Sequence, residues 1–106
     1  MVINVWAVSD NGTILHYSSP ADYNIAPERL VESLSKELVE TVNSGACVDN
    51  YLQDQLLVFM AMASSPSAMK IHKLTLHSEA VINLINQSEL ARVEVDGSVI
   101  RVYPNN

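Results

Sequence analysis

The sequence holds one cysteine, Cys47, so the chain cannot close an internal disulfide. Its three glycines, at positions 12, 45 and 97, lie far apart, and no glycine-rich phosphate loop is present. Basic residues are scarce. Six Lys and Arg stand against twelve Asp and Glu, giving a formal charge of -6. Arg29, Lys36, Lys70, Lys73, Arg92 and Arg101 are scattered, whereas a surface that grips a long nucleic acid normally clusters such residues. This argues against the chain holding a long RNA by itself, and leaves contact with one terminal phosphate open. No apolar run reaches the roughly 18 residues that span a bilayer. The longest, Leu56 to Ala63, reads as a buried helix. The segment from Met1 to Trp6 lacks the basic flank of a secretory signal. With the lone cysteine, that predicts a cytoplasmic setting.

What remains is the balance of a folded soluble protein, 48% hydrophobic and 17% charged. Its 106 residues suit a single domain, 1–106. Val2 to Ser9 reads as a strand, Asp10-Asn11-Gly12 as a turn, and Thr13 to Ser18 as the returning strand. Pro27 suits the first position of a helix, and Leu30, Leu34 and Leu38, widened by Val31, Val39 and Val42, predict an amphipathic helix to Asn43. Gly45 falls where a left-handed cap residue is wanted. Asp49 is the expected N-cap of a second helix running to about Ala63, polar at its start and buried at its far end. Met69 to Leu76 reads as a strand, and Ser78 as the cap of a short third helix carrying Val81, Ile82, Leu84 and Ile85. Ala91 to Val95 and Ser98 to Tyr103 flank Asp96-Gly97 as a hairpin. Trp6, Met60, Met62 and Met69 are most simply core. The order β-β-α-α-β-α-β-β predicts an α+β fold, a two-layer sandwich of helices packed on one face of a small mixed sheet.

Two clusters can carry chemistry. The run Ser44-Gly-Ala-Cys-Val-Asp-Asn-Tyr-Leu-Gln-Asp-Gln-Leu56 delivers polar side chains at a helix start. Such a terminus favours anions, because free N–H groups and the dipole point the same way. Equally, it is a simple capped helix with solvated Asp54 and Gln55. In Leu74-Thr-Leu-His77-Ser-Glu79 the histidine ends the expected strand just before the third helix. A neutral imidazole there is a nucleophile toward a phosphate held by the same terminus. Equally, it is a histidine at a strand end that bonds to backbone. His16 and His72 have no partner at ligand spacing, so no metal site is expected within the chain.

The run from Ser44 to Leu56, then a helix with Phe59, Met60 and Ala61, then Leu74-Thr-Leu-His77, resembles the C-terminal part of the RNA 3'-terminal phosphate cyclases. Val5-Trp6-Ala7 followed by Gly12 fits the same order, so the resemblance covers nearly the whole chain. It implies ATP-dependent conversion of an RNA 3'-phosphate end to a 2',3'-cyclic phosphate. The catalytic residue it implies is His77, which would attack the α-phosphate of ATP and become adenylylated. The ATP-binding stretch it implies is Tyr51, Leu52, Gln53, Asp54 and Gln55. A divalent metal, Mg or Mn, is implied as helper. The fold it implies is the last of several small α/β units, similar to the C-terminal domain of a translation initiation factor. Asn50 departs from the pattern, standing where an acidic residue is expected. The earlier units of the family, which supply further phosphate, metal and RNA contacts, are not matched here.

The chain is therefore expected to be the C-terminal part of such an enzyme, inactive alone: either a fragment of it, or one half of a split enzyme completed by a separate chain that supplies the N-terminal units. The alternative is a non-catalytic relic of the same fold, acting as a binding or ribosome-assembly module. An apolar face once covered by a neighbouring unit makes a homodimer a further expectation.

Overall fold

The computed structural model describes residues 2–105; Met1, which opens the segment read above for a signal, and Asn106 lie outside them. Strand β1 (Val2–Val8) pairs antiparallel with β2 (Ile14–Pro20), from Val2 opposite Pro20 to Val8 opposite Ile14. Gly12 closes the turn at φ 87°, where a Cβ is disfavoured. Alternation along the pair points Leu15 and Tyr17 at helix α1 (Pro27–Asn43) and leaves Val2, Trp6, Val8 and Ile14 outside. Trp6 is thus 64% exposed rather than core, because a two-stranded sheet covered on one side cannot bury both faces.

Helix α1 begins with Pro27 as expected and buries Leu34 and Thr41. Its apolar stripe is narrower than the sequence suggests: Val31, Val39 and Val42 stay exposed, since the hairpin beneath is only two strands wide. Gly45 takes the left-handed conformation at φ 76°, and a Cβ there would lie 3.0 Å from the Lys70 ammonium nitrogen.

Helix α2 (Asn50–Met62) is capped by Asp49, whose carboxylate accepts from the N–H groups of Tyr51 and Leu52. Its buried residues are Gln53, Leu57 and Ala61, four apart along one stripe. The far end is not buried all round: Phe59 and Met62 face solvent, because only that stripe meets the sheet.

Strand β3 (Ser67–Lys70) is shorter than expected, and helix α3 (Leu76–Ser88) begins sooner. The Ile71 N–H still bonds to Ser98 O, but residues 72–75 leave the sheet and bend toward α2. The cap of α3 is Thr75, not Ser78: its hydroxyl accepts from the Ser78 N–H at 3.1 Å. Ile82 and Ile85 are buried as expected, and Leu84 lies on the open face.

Strands β4 (Ala91–Asp96) and β5 (Val99–Pro104) form the expected hairpin around Gly97. Strand β5 is central, between β3 and β4, and every pairing is antiparallel. The fold is α+β in the expected element order. Its strands divide into two antiparallel sheets rather than one mixed sheet. Helices α2 and α3 bury Leu57, Ala61, Ile82 and Ile85 against Met69, Val93, Ile100 and Val102 of the larger sheet. Among the described residues, no helix is long and apolar enough to cross a membrane.

Candidate functional site

Residues 51 and 55 fall on the side of α2 away from the Gln53–Leu57–Ala61 stripe, with residue 54 at the edge of the stripe and residue 50 at its N-terminal end. Asn50, Tyr51, Asp54 and Gln55 line a pocket of about 370 Å³. Its other walls are Tyr17 from β2, Glu37 from α1, and Thr75 and His77 from the start of α3. The volume lies in the lower part of the range for small-molecule sites, about 300–1,000 Å³. A second hollow of about 270 Å³, beside the β1–β2 turn, has no charged side chain in its lining.

The walls are tied together by directed hydrogen bonds. The Thr41 hydroxyl donates to Glu37 O at 2.9 Å. Its only proton is thereby used, so the Tyr17 hydroxyl, 2.8 Å away, donates to Thr41. Tyr17 in turn accepts from the Asn50 N–H at 3.4 Å. One relay thus runs from the first turn of α2, through β2, to α1. Tyr17 and Thr41 are buried, which makes these bonds costly to break. The rings of Tyr17 and Tyr51 meet edge-on, with centroids 5.6 Å apart.

His77 is the second residue of α3 rather than the end of a strand. Its side chain is exposed and takes no hydrogen-bond partner among the described residues, leaving the ring nitrogens open to a ligand. It joins Tyr51, Asp54 and Gln55 in the pocket. Leu52 is part of the same helix turn but does not line the pocket. Gln53 is wholly buried; it donates to Lys73 O at 3.0 Å and accepts from the Thr75 N–H at 3.1 Å.

Tyr17, Glu37 and Thr75 were not singled out by sequence reasoning. No local signal marks Tyr17 or Glu37, since both reach the pocket only through the tertiary fold. Thr75 carried a readable one, a threonine three residues before a helical N–H.

Glu37 and Asp54 are the carboxylates of the pocket, and no Lys or Arg lines it. Among the described residues, no group of three or more His, Cys, Asp or Glu is placed to hold a metal ion.

The RNA 3'-terminal phosphate cyclase family profile matches residues 6–95.

The chain belongs to the RNA 3'-terminal phosphate cyclase family.

It is 32% identical over 82 residues, 77% of its own length, to the "Probable RNA 3'-terminal phosphate cyclase" of Dictyostelium discoideum. Against the RNA 3'-terminal phosphate cyclase of Drosophila melanogaster it is 38% identical over 61 residues, 58% of the chain. Against that of Methanothermobacter thermautotrophicus it is 30% identical over 95 residues, 90% of the chain. In each case it spans only a small part of the relative: 19%, 17% and 27% respectively. The chain spans between 17% and 27% of the length of the curated cyclases it matches.

Proposed function

We propose that this chain supplies the nucleophilic histidine and one wall of the nucleotide site of an RNA 3'-terminal phosphate cyclase. The observation that carries the reading is the meeting of His77 with Tyr51, Asp54 and Gln55 around one pocket, from two separate helix starts. A ring nitrogen of His77 attacks the α-phosphorus of ATP. An N–P bond forms, the bond to the β-phosphate oxygen breaks, pyrophosphate leaves, and the ring proton passes to water. An oxygen of the RNA 3'-phosphate then takes the adenylyl group and the N–P bond breaks. Attack by the neighbouring 2'-hydroxyl, which loses its proton, closes the cyclic phosphate and expels AMP. The family resemblance implies a divalent cation, and Asp54 and Glu37 are the pocket carboxylates that would face it. When bound, that cation supplies positive charge to the phosphates.

The pocket brings two carboxylates and neither Lys nor Arg to a tetra-anionic substrate. Together with the small share of each relative that the chain spans, this supports a chain that does not cyclise RNA alone. The same short span favours one second reading, a non-catalytic binding or ribosome-assembly module of cyclase fold.

ATP labelled at the α-phosphate separates the two, applied to the chain alone and with a candidate partner carrying the rest of the cyclase length. Covalent label on His77 supports the enzyme reading. No label under either condition overturns it and leaves the binding module.

A further inference from the structure

Gln53 is the one polar side chain in the buried stripe of α2, and both ends of its amide are used. Nε2 donates to Lys73 O and Oε1 accepts from the Thr75 N–H, at 3.0 and 3.1 Å. These two bonds grip opposite ends of the bend over residues 73–75, where the chain has already left the sheet. Thr75 then passes the constraint on. Its hydroxyl accepts from the Ser78 N–H and donates to the Ser78 hydroxyl at 2.9 Å, fixing the first turn of α3. His77 sits inside that turn. The same α2 turn carries Tyr51, Asp54 and Gln55 into the pocket.

We infer that Gln53 is a positioning residue: it locks the backbone that carries His77 to the helix that carries the nucleotide contacts, and so sets the distance between nucleophile and substrate. Gln53 is wholly buried and does not line the pocket. The inference rests on the reading of His77 as the nucleophile. Its logic is that of near-attack geometry, in which a displacement of about 1 Å costs on the order of 100-fold in rate. Leucine fills a similar volume but strands Lys73 O and the Thr75 N–H. Methionine keeps the length of the side chain without a group that replaces either bond.

The test uses the full chain with a candidate partner carrying the rest of the cyclase length and α-labelled ATP. In Gln53→Leu the single-turnover rate of His77 labelling at saturating ATP falls by at least about tenfold, while the ATP concentration for half-maximal rate stays within about twofold. Gln53→Met gives a similar fall, and its flexible, unbranched side chain keeps the result readable should the leucine variant fold poorly. Amide exchange in the same samples speeds up at Thr75 to Ser78 and not at Leu57 or Ala61. Unchanged labelling rates in both variants, with native labelling present, overturn the inference alone. So does unchanged exchange at Thr75 to Ser78. Absence of label in the native complex overturns instead the reading of His77 on which the inference stands.

Discussion

The Asp49 carboxylate accepts the backbone N–H of His16 at 3.1 Å, across 33 positions of sequence. Oδ2 makes this bond to β2, while Oδ1 accepts from Tyr51 and Leu52 at 3.1 and 2.8 Å and caps α2. One nearly buried side chain therefore starts the helix that carries Tyr51, Asp54 and Gln55 and docks the β1–β2 hairpin beside it.

Replacing Asp49 by Ala removes both roles. The cap alone is worth about 0.5–2 kcal/mol, and a hydrogen bond to a charged group adds about 1.5–3 kcal/mol. A loss of about 2–4 kcal/mol in urea unfolding is expected, and Asp49→Asn, which keeps one acceptor, should lose about half as much.

Tyr17→Phe keeps the ring and its edge contact with Tyr51 but strands the Asn50 N–H and deprives the Thr41 hydroxyl of its donor. Unfolding should cost about 1–3 kcal/mol more than the loss of a solvated hydroxyl. Denaturation of the single variant measures this. Thr41→Val in the same background should then cost little further, because the two sites share one relay.

Thr75→Ala should destabilise α3 by about 1 kcal/mol, read from helical chemical shifts at Leu76 and His77 together with the unfolding midpoint. Ser78→Ala should cost less, since its hydroxyl serves only as a partner for Thr75. The reverse ranking would return the cap to Ser78.

This last point marks where sequence reading ran out. Leu74, Leu76 and the alternation around them mimic a strand, whereas in the fold Lys73 and Thr75 bond to the Gln53 amide, 20 and 22 positions away. Elements governed by local signals were legible. Pro27 opens α1, Asp49 caps α2, and Asp96-Gly97 closes the last hairpin, all where expected. Burial was legible only where the covering layer was known. Leu57 and Phe59 look alike in one apolar run, yet Leu57 is wholly buried and Phe59 is 70% exposed. Family membership was visible because its signature is a contiguous run plus one histidine. The contributions of Tyr17 and Glu37 to the pocket were not, because no spacing in the sequence encodes them.

Leu57→Ala should accordingly cost about 2–5 kcal/mol as a cavity in the core, while Phe59→Ala should stay within about 0.5 kcal/mol. Thermal or urea unfolding of the two variants side by side checks the assignment of faces on α2.

The central claim is that His77 is the adenylyl acceptor. The most direct measurement is site mapping of covalent label after incubation of α-labelled ATP with the chain and a candidate partner carrying the rest of the cyclase length, for the native protein and for His77→Ala. The account predicts an acid-labile adenylyl group on His77 and no label in the variant. Label that persists in His77→Ala, or a native complex that takes none, would contradict it.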